Sequence, residues 1–232
     1  MRDLTGIPAQ DLESDWITSN AYLDYESPSV QAFVAKALSG HENASETEKA
    51  IILFKAVRDD LRYDPYQMTF DAPTYKASYI AQQPAVYCVP KAILLTAALR
   101  SIGIPAAVGF ADVQNHLNTP KLAELMETDL FSYHGFVALK LDGKVYKVTP
   151  TFNKELCDRF GVQPIEFDGQ SDALFHEFDA EKRQHMEYVK DRGIFEEPPI
   201  EGILSDLAEL YPKLKHKTAS GAREANDPGF SA

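Results

Sequence analysis

Cys88 stands near the start of the run "YCVPKAILLTAALRSIGIP", and His134 stands in "YHGFVAL". A thiol and an imidazole are the parts of a nucleophile and its general base. Only the thiolate attacks a carbonyl, so a working cysteine needs something that favours its anion. The first turn of a helix supplies part of that, through unpaired N–H groups and the positive end of the dipole. The plainer alternative for Cys88 is a small buried hydrophobe, the usual place of a free cysteine.

The imidazole belongs to a hairpin. The stretch "YHGFVALKLDGKVYKVTPTF" holds two alternating runs around Asp142-Gly143, a type I′ turn signal. Such a turn pairs Leu141 with Lys144, and counting back puts His134 opposite Thr151 and Phe136 opposite Thr149. His134 and Thr149 then share a face as diagonal neighbours, close enough for a hydroxyl to hold the ring in one tautomer. The alternative is a half-buried strand histidine bonded to a threonine.

These residues need elements to carry them. The spacing of Val30, Phe33, Val34, Ala37 and Leu38 after Ser27-Pro28 predicts a first helix, stopped at Gly40. A capping box at Ser45 and Glu48 opens a second, with Ala50, Leu53, Phe54, Val57 and Leu61 inward. The aromatic stretch "DPYQMTFDAPTYKASYIAQQPA" has no periodicity, and a loop of that length is usually functional. The Cys88 helix follows, with Pro90 in its first turn and Gly103 at its end. "IPAAVGFADV" predicts a strand and "HLNTPKLAELMETDL" a connection with one short helix. Beyond the hairpin, helices are expected around 173–190 and 200–210, and a polar, disordered tail over 213–232. Helices, then strands, then helices indicate an α+β fold.

Composition bounds the function. The 232 residues carry a net charge of −12, which argues against nucleic acid or an anionic membrane as the main partner. No apolar run reaches the length of about 18 residues that a membrane span needs. The first residues lack the apolar core of a signal peptide, so the expected location is cytoplasmic. Two cysteines are too few for a disulfide framework. No glycine-rich phosphate loop is present, and no cofactor is called for.

The order of these parts is distinctive. On "YCVPKAILLTAALRSIGIPAAVGF", "YHGFVAL" and "VYKVTPTFN", the chain resembles the transglutaminase-like superfamily of papain-fold thiol enzymes. The resemblance covers about residues 45 to 153. It implies a nucleophile helix packed on an antiparallel sheet, with extra helices at both ends, in a single domain over 1–212. It also implies Cys88 as nucleophile, His134 as base, and a third residue at position 149. There the family has aspartate and this chain has Thr149, which can orient the ring but brings no charge. Asp112 and Asp129 are the carboxylates that could supply charge from elsewhere.

Acyl transfer also needs oxyanion donors. The Cys88 N–H is one candidate, and Gln82 or Gln83 could present a side-chain amide. Tyr87 and Tyr133, each preceding a candidate catalytic residue, either shape the pocket or only pack. The expected function is a cysteine-dependent acyl-transfer enzyme, a hydrolase or an amine acyltransferase working through a Cys88 thioester. Its substrate would be an amide- or acyl-containing small molecule, peptide or protein. The alternative is a lapsed triad whose cleft only binds a peptide or small molecule. A more remote possibility is a metal held by Asp168, Asp172 and His176 on one helix face. Cys157 sits at core-like helical spacing and is expected to be inert.

Overall fold

The computed structural model describes residues 4–115, 119–174, 186–219 and 230. Two helices begin the frame, α1 (Pro28–Ala37) and α2 (Glu46–Asp60). The start of α2 is fixed as its sequence predicts: the Glu48 N–H donates to the Ser45 hydroxyl and the Ser45 N–H to the Glu48 carboxylate. After α2 come β1 (Arg62–Tyr63), two short 3-10 turns, α3 (Ala77–Ile80) and β2 (Ala85–Val86). The aromatic stretch is thus folded into short pieces, pinned by the parallel pairing of β1 with β2.

Helix α4 (Cys88–Ser101) is the centre of the molecule. Its residues from Cys88 to Arg100 are all buried, as befits a helix apolar nearly all round. Its two buried cations are satisfied by carbonyls. Lys91 Nζ donates to the Arg58 carbonyl at 2.7 Å, and the Arg100 guanidinium donates to those of Thr18, Ala106 and Glu196.

The remaining strands are β3 (Ala106–Asn115), β4 (Leu130–Leu141), β5 (Lys144–Val148) and β6 (Met186–Phe195). They form one antiparallel sheet in the order β5-β4-β3-β6. The β4–β5 hairpin has the predicted register, Leu141 opposite Lys144, with Asp142 and Gly143 at φ of 49° and 77°. Helix α4 packs on β4 and β3, so the fold is the expected α+β arrangement with the cysteine helix against an antiparallel sheet. Helix α5 (Pro120–Met126) lies between β3 and β4, and α6 (Lys154–Phe160), α7 (Ile200–Leu210) and α8 (Pro212–Ala219) follow the hairpin. Among the described residues no helix is long and apolar enough to cross a membrane.

Two expectations are corrected. Residues 186–190 are not helical but begin β6, an edge strand whose side chains from Glu187 to Asp191 are exposed. Residues 213–219 are not disordered: they continue as α8, whose Leu214 is buried in the core.

Candidate active site

Cys88 is the first residue of α4, capped by an extended Tyr87. Its sulfur faces three backbone N–H groups, those of Gly135, Val89 and Cys88 itself. Each favours the anion. Burial outweighs them and pushes the thiol up to about 11. The Gly135 contact depends on glycine. A Cβ there would lie 3.0 Å from Val89 Cα and 3.1 Å from the Cys88 carbonyl oxygen, so only a bare backbone lets β4 come this close to α4.

His134 precedes that glycine. Burial alone pushes its imidazole down to about 3. Thiol and imidazole are therefore both uncharged near neutral pH. They line the same pocket, together with Tyr87, Ser132 and Tyr133. Its empty space is about 480 Å³, counting the open mouth.

The strand reaches His134 through a bulge. Ala111 of β3 pairs with His134 and Val113 with Phe131, so Ser132 and Tyr133 together oppose Asp112. Tyr133 takes up the difference with a left-handed φ of 58°. That conformation costs a non-glycine residue about 1–3 kcal/mol unless its surroundings hold it. Here they do. The Tyr133 N–H donates to Asp112 Oδ1 at 3.1 Å, and its hydroxyl donates to Asp206 of α7 at 2.5 Å. Arg192 of β6 completes the group, bonding Asp112 through Nε at 2.7 Å and Nη2 at 2.8 Å while its guanidinium covers the Tyr133 ring.

The site closes under the C-terminal helices. Leu207 of α7, Tyr211 at the end of that helix and Leu214 of α8 line the pocket on one side, with Leu122 and Met126 of α5 beside them. Tyr211 ties this roof to β4, its hydroxyl accepting from the Ser132 N–H and donating to the Leu130 carbonyl.

Several sequence-based assignments change. The hydroxyl beside the imidazole belongs to Thr151, whose Oγ1 lies 3.5 Å from His134 Nε2. Thr149 does not take that place. β5 ends at Val148, and the Thr149 N–H turns to the Ala173 carbonyl. Its side-chain oxygen is buried, with the Tyr188 hydroxyl as its polar neighbour. Gln82 and Gln83 lie outside the pocket, donating their amides to the Ser78 and Tyr79 carbonyls at the exposed end of α3. Asp112 serves the bulge rather than the imidazole, and Asp129 accepts from the Gln114 side chain. Asp168 caps a turn at Gln170 and Ser171, and Asp172 accepts from the Lys147 N–H, so the two do not share a helix face. His176 lies outside the described residues, among which no cluster fit for a metal occurs. Cys157 is buried in α6, and both cysteines are free thiols.

Gly135, Arg192, Asp206 and Tyr211 had not been singled out. A glycine inside an alternating strand next to His134 was a readable signal of close backbone approach. The other three meet β3 and β4 only through long-range folding.

Residues 31–149 match the family model of the transglutaminase-like superfamily, and the chain belongs to that family. The matched span runs from α1 through α4 and the hairpin to Thr149. No curated protein shows significant similarity to the chain. Among solved structures it is similar to a "putative cysteine protease" from Cytophaga hutchinsonii, at 18% identity and a TM-score of 0.44, over 64% of this chain and 46% of that one. This chain thus aligns to less than half of that protein's length, and a likeness of this size carries no argument about mechanism.

Proposed function

We propose that this protein is a thiol enzyme in which Cys88 attacks an acyl carbonyl and His134 is the base. The observation that carries the reading is the meeting of thiol, imidazole and three backbone N–H groups at one pocket at the head of α4. Because both side chains are uncharged at rest, the proton moves during attack rather than before it. As the carbon–sulfur bond forms, the imidazole accepts the thiol proton and passes it to the leaving group. The N–H groups at the head of α4 are suited to the charge that develops on the carbonyl oxygen. Thr151 stands beside the imidazole as a neutral third member, in place of the charge that an aspartate would bring. Water as the second acceptor makes the protein a hydrolase, and an amine makes it an acyltransferase.

A second reading is favoured by one observation: Cys88 and His134 are only 8% and 4% exposed, as in a site that binds without reacting. Intact-mass analysis after incubation with small activated esters separates the two. A covalent acyl adduct on Cys88, absent from Cys88→Ala and slowed in His134→Ala, supports the enzyme. A bound but unmodified ligand supports the binding module.

A further inference from the structure

We propose that the substrate enters beside Cys88 with an uncharged, apolar acyl group, and that Ser132 meets its carbonyl oxygen. This names a substrate class for the thiol-enzyme reading above and rests on it.

The walls carry the first half. Met68, Leu122, Met126, Phe131, Leu207 and Leu214 reach the pocket from separate parts of the chain, and no Asp, Glu, Lys or Arg among the described residues lines it. Buried charges elsewhere in the core are engaged, Asp112 with Arg192, Asp206 with the Tyr133 hydroxyl and Lys91 with the Arg58 carbonyl. A carboxylate or ammonium on the acyl group would lose its water and find no counter-charge. An aliphatic or aromatic group loses nothing by entering and is removed from water.

Ser132 carries the second half. Its Oγ is buried and makes no bond of good geometry to the described residues, the Tyr211 hydroxyl being its polar neighbour, and the residue lines the same pocket as Cys88. A poorly satisfied buried hydroxyl is unfavourable, and a carbonyl oxygen would accept from it. The backbone beside it is fixed, because the Ser132 N–H donates to Tyr211 at 2.8 Å. The pocket therefore combines the poorly satisfied Ser132 hydroxyl with an apolar surround.

With an ester as probe the step balances. Cys88 Sγ attacks the carbonyl carbon, the S–C bond forms and the ester C–O bond breaks. The thiol proton passes through His134 to the departing oxygen, and water later returns the free acid and the thiol.

The experiment compares 4-nitrophenyl hexanoate with the 4-nitrophenyl monoester of adipic acid, an acyl chain of the same length ending in a carboxylate. Acylation of Cys88 is followed by intact mass and nitrophenolate release, each rate taken above that of Cys88→Ala. The hexanoyl ester is expected to acylate faster by roughly tenfold or more. Ser132→Ala should slow the hexanoyl reaction several-fold, with circular dichroism and melting temperature unchanged. If both esters acylate Cys88 at like rates, the apolar class is overturned and the thiol-enzyme reading stands. If neither acylates Cys88, both fall. An unchanged rate in Ser132→Ala overturns the role given to that hydroxyl.

Discussion

The backbone N–H of Gly135 is directed at the Cys88 sulfur, across a gap too narrow for a side chain. One glycine thus sets both the distance from strand to helix and one of the donors that favours the thiolate. Gly135→Ala should push β4 off the first turn of α4. We expect a loss of about 1–3 kcal/mol in stability, the usual cost of overpacking, and slower alkylation of Cys88. Urea denaturation and timed iodoacetamide labelling measure the two effects. A variant that melts and reacts like the wild type would show that the contact is slack.

The two threonines of the hairpin make opposite predictions. Thr151 faces the imidazole at 3.5 Å, whereas the Thr149 hydroxyl has Tyr188 as its polar neighbour. Thr151→Val should therefore slow the acylation of Cys88 and alter its pH profile, and Thr149→Val should do neither. Steady-state rates across pH 5 to 9 for both variants decide between them. A larger loss in Thr149→Val would return the supporting role to the position the family pattern implies.

Acid should weaken the fold through His134. Burial pushes its pKa down to about 3 from an ordinary 6.5, so between these values the unfolded chain holds a proton that the folded chain refuses. Stability should then fall as pH drops below about 6.5, by at most about 1.4 kcal/mol per pH unit for one proton. His134→Gln removes the titration, so its stability should change less than the wild type's between pH 7 and 5. Parallel denaturation curves at the two pH values would show that the imidazole is not held neutral.

Asp112 and Arg192 hold the bulge beneath the site, with side chains only 7% and 1% exposed. Asp112→Asn removes the carboxylate that grips the guanidinium at two nitrogens and leaves it the more distant Coulombic pull of Asp206, at an expected cost of about 3 kcal/mol. It also weakens the acceptor for the Tyr133 N–H. Chemical denaturation gives the number, and a loss below about 1 kcal/mol would contradict the role assigned to this pair.

Much of this site could be read from local sequence. The Asp142-Gly143 turn fixed a register that placed His134 opposite Thr151, and the spacing of α4 placed Cys88 at a helix start. Counting along the hairpin set Thr151 opposite His134 and Thr149 on its diagonal; the pairing of β5 ends at Val148, and the hydroxyl that lies 3.5 Å from the ring is that of Thr151. Strand β6 was misread as helix because it is an edge strand with little alternation to show: from Glu187 to Asp191 it buries nothing. Helix α8 was misread as disordered because its surface is polar and its anchorage rests largely on Leu214, buried in the core. The bulge, and the Asp112–Arg192 pair that holds it, join residues 80 positions apart, and no local pattern announces such a contact.

The central claim, that Cys88 and His134 act together, is tested most directly by comparing the two thiols of the chain. Burial pushes both Cys88 and Cys157 up to about 11, so acidity alone gives neither an advantage. Among the described residues, it is Cys88 whose pocket also holds an imidazole, that of His134. Labelling with iodoacetamide at pH 7.5, resolved by peptide mass, should modify Cys88 well ahead of Cys157, and His134→Ala should erase the difference. Equal, slow labelling of both thiols in the wild type, or a lead for Cys88 that survives His134→Ala, would contradict the account.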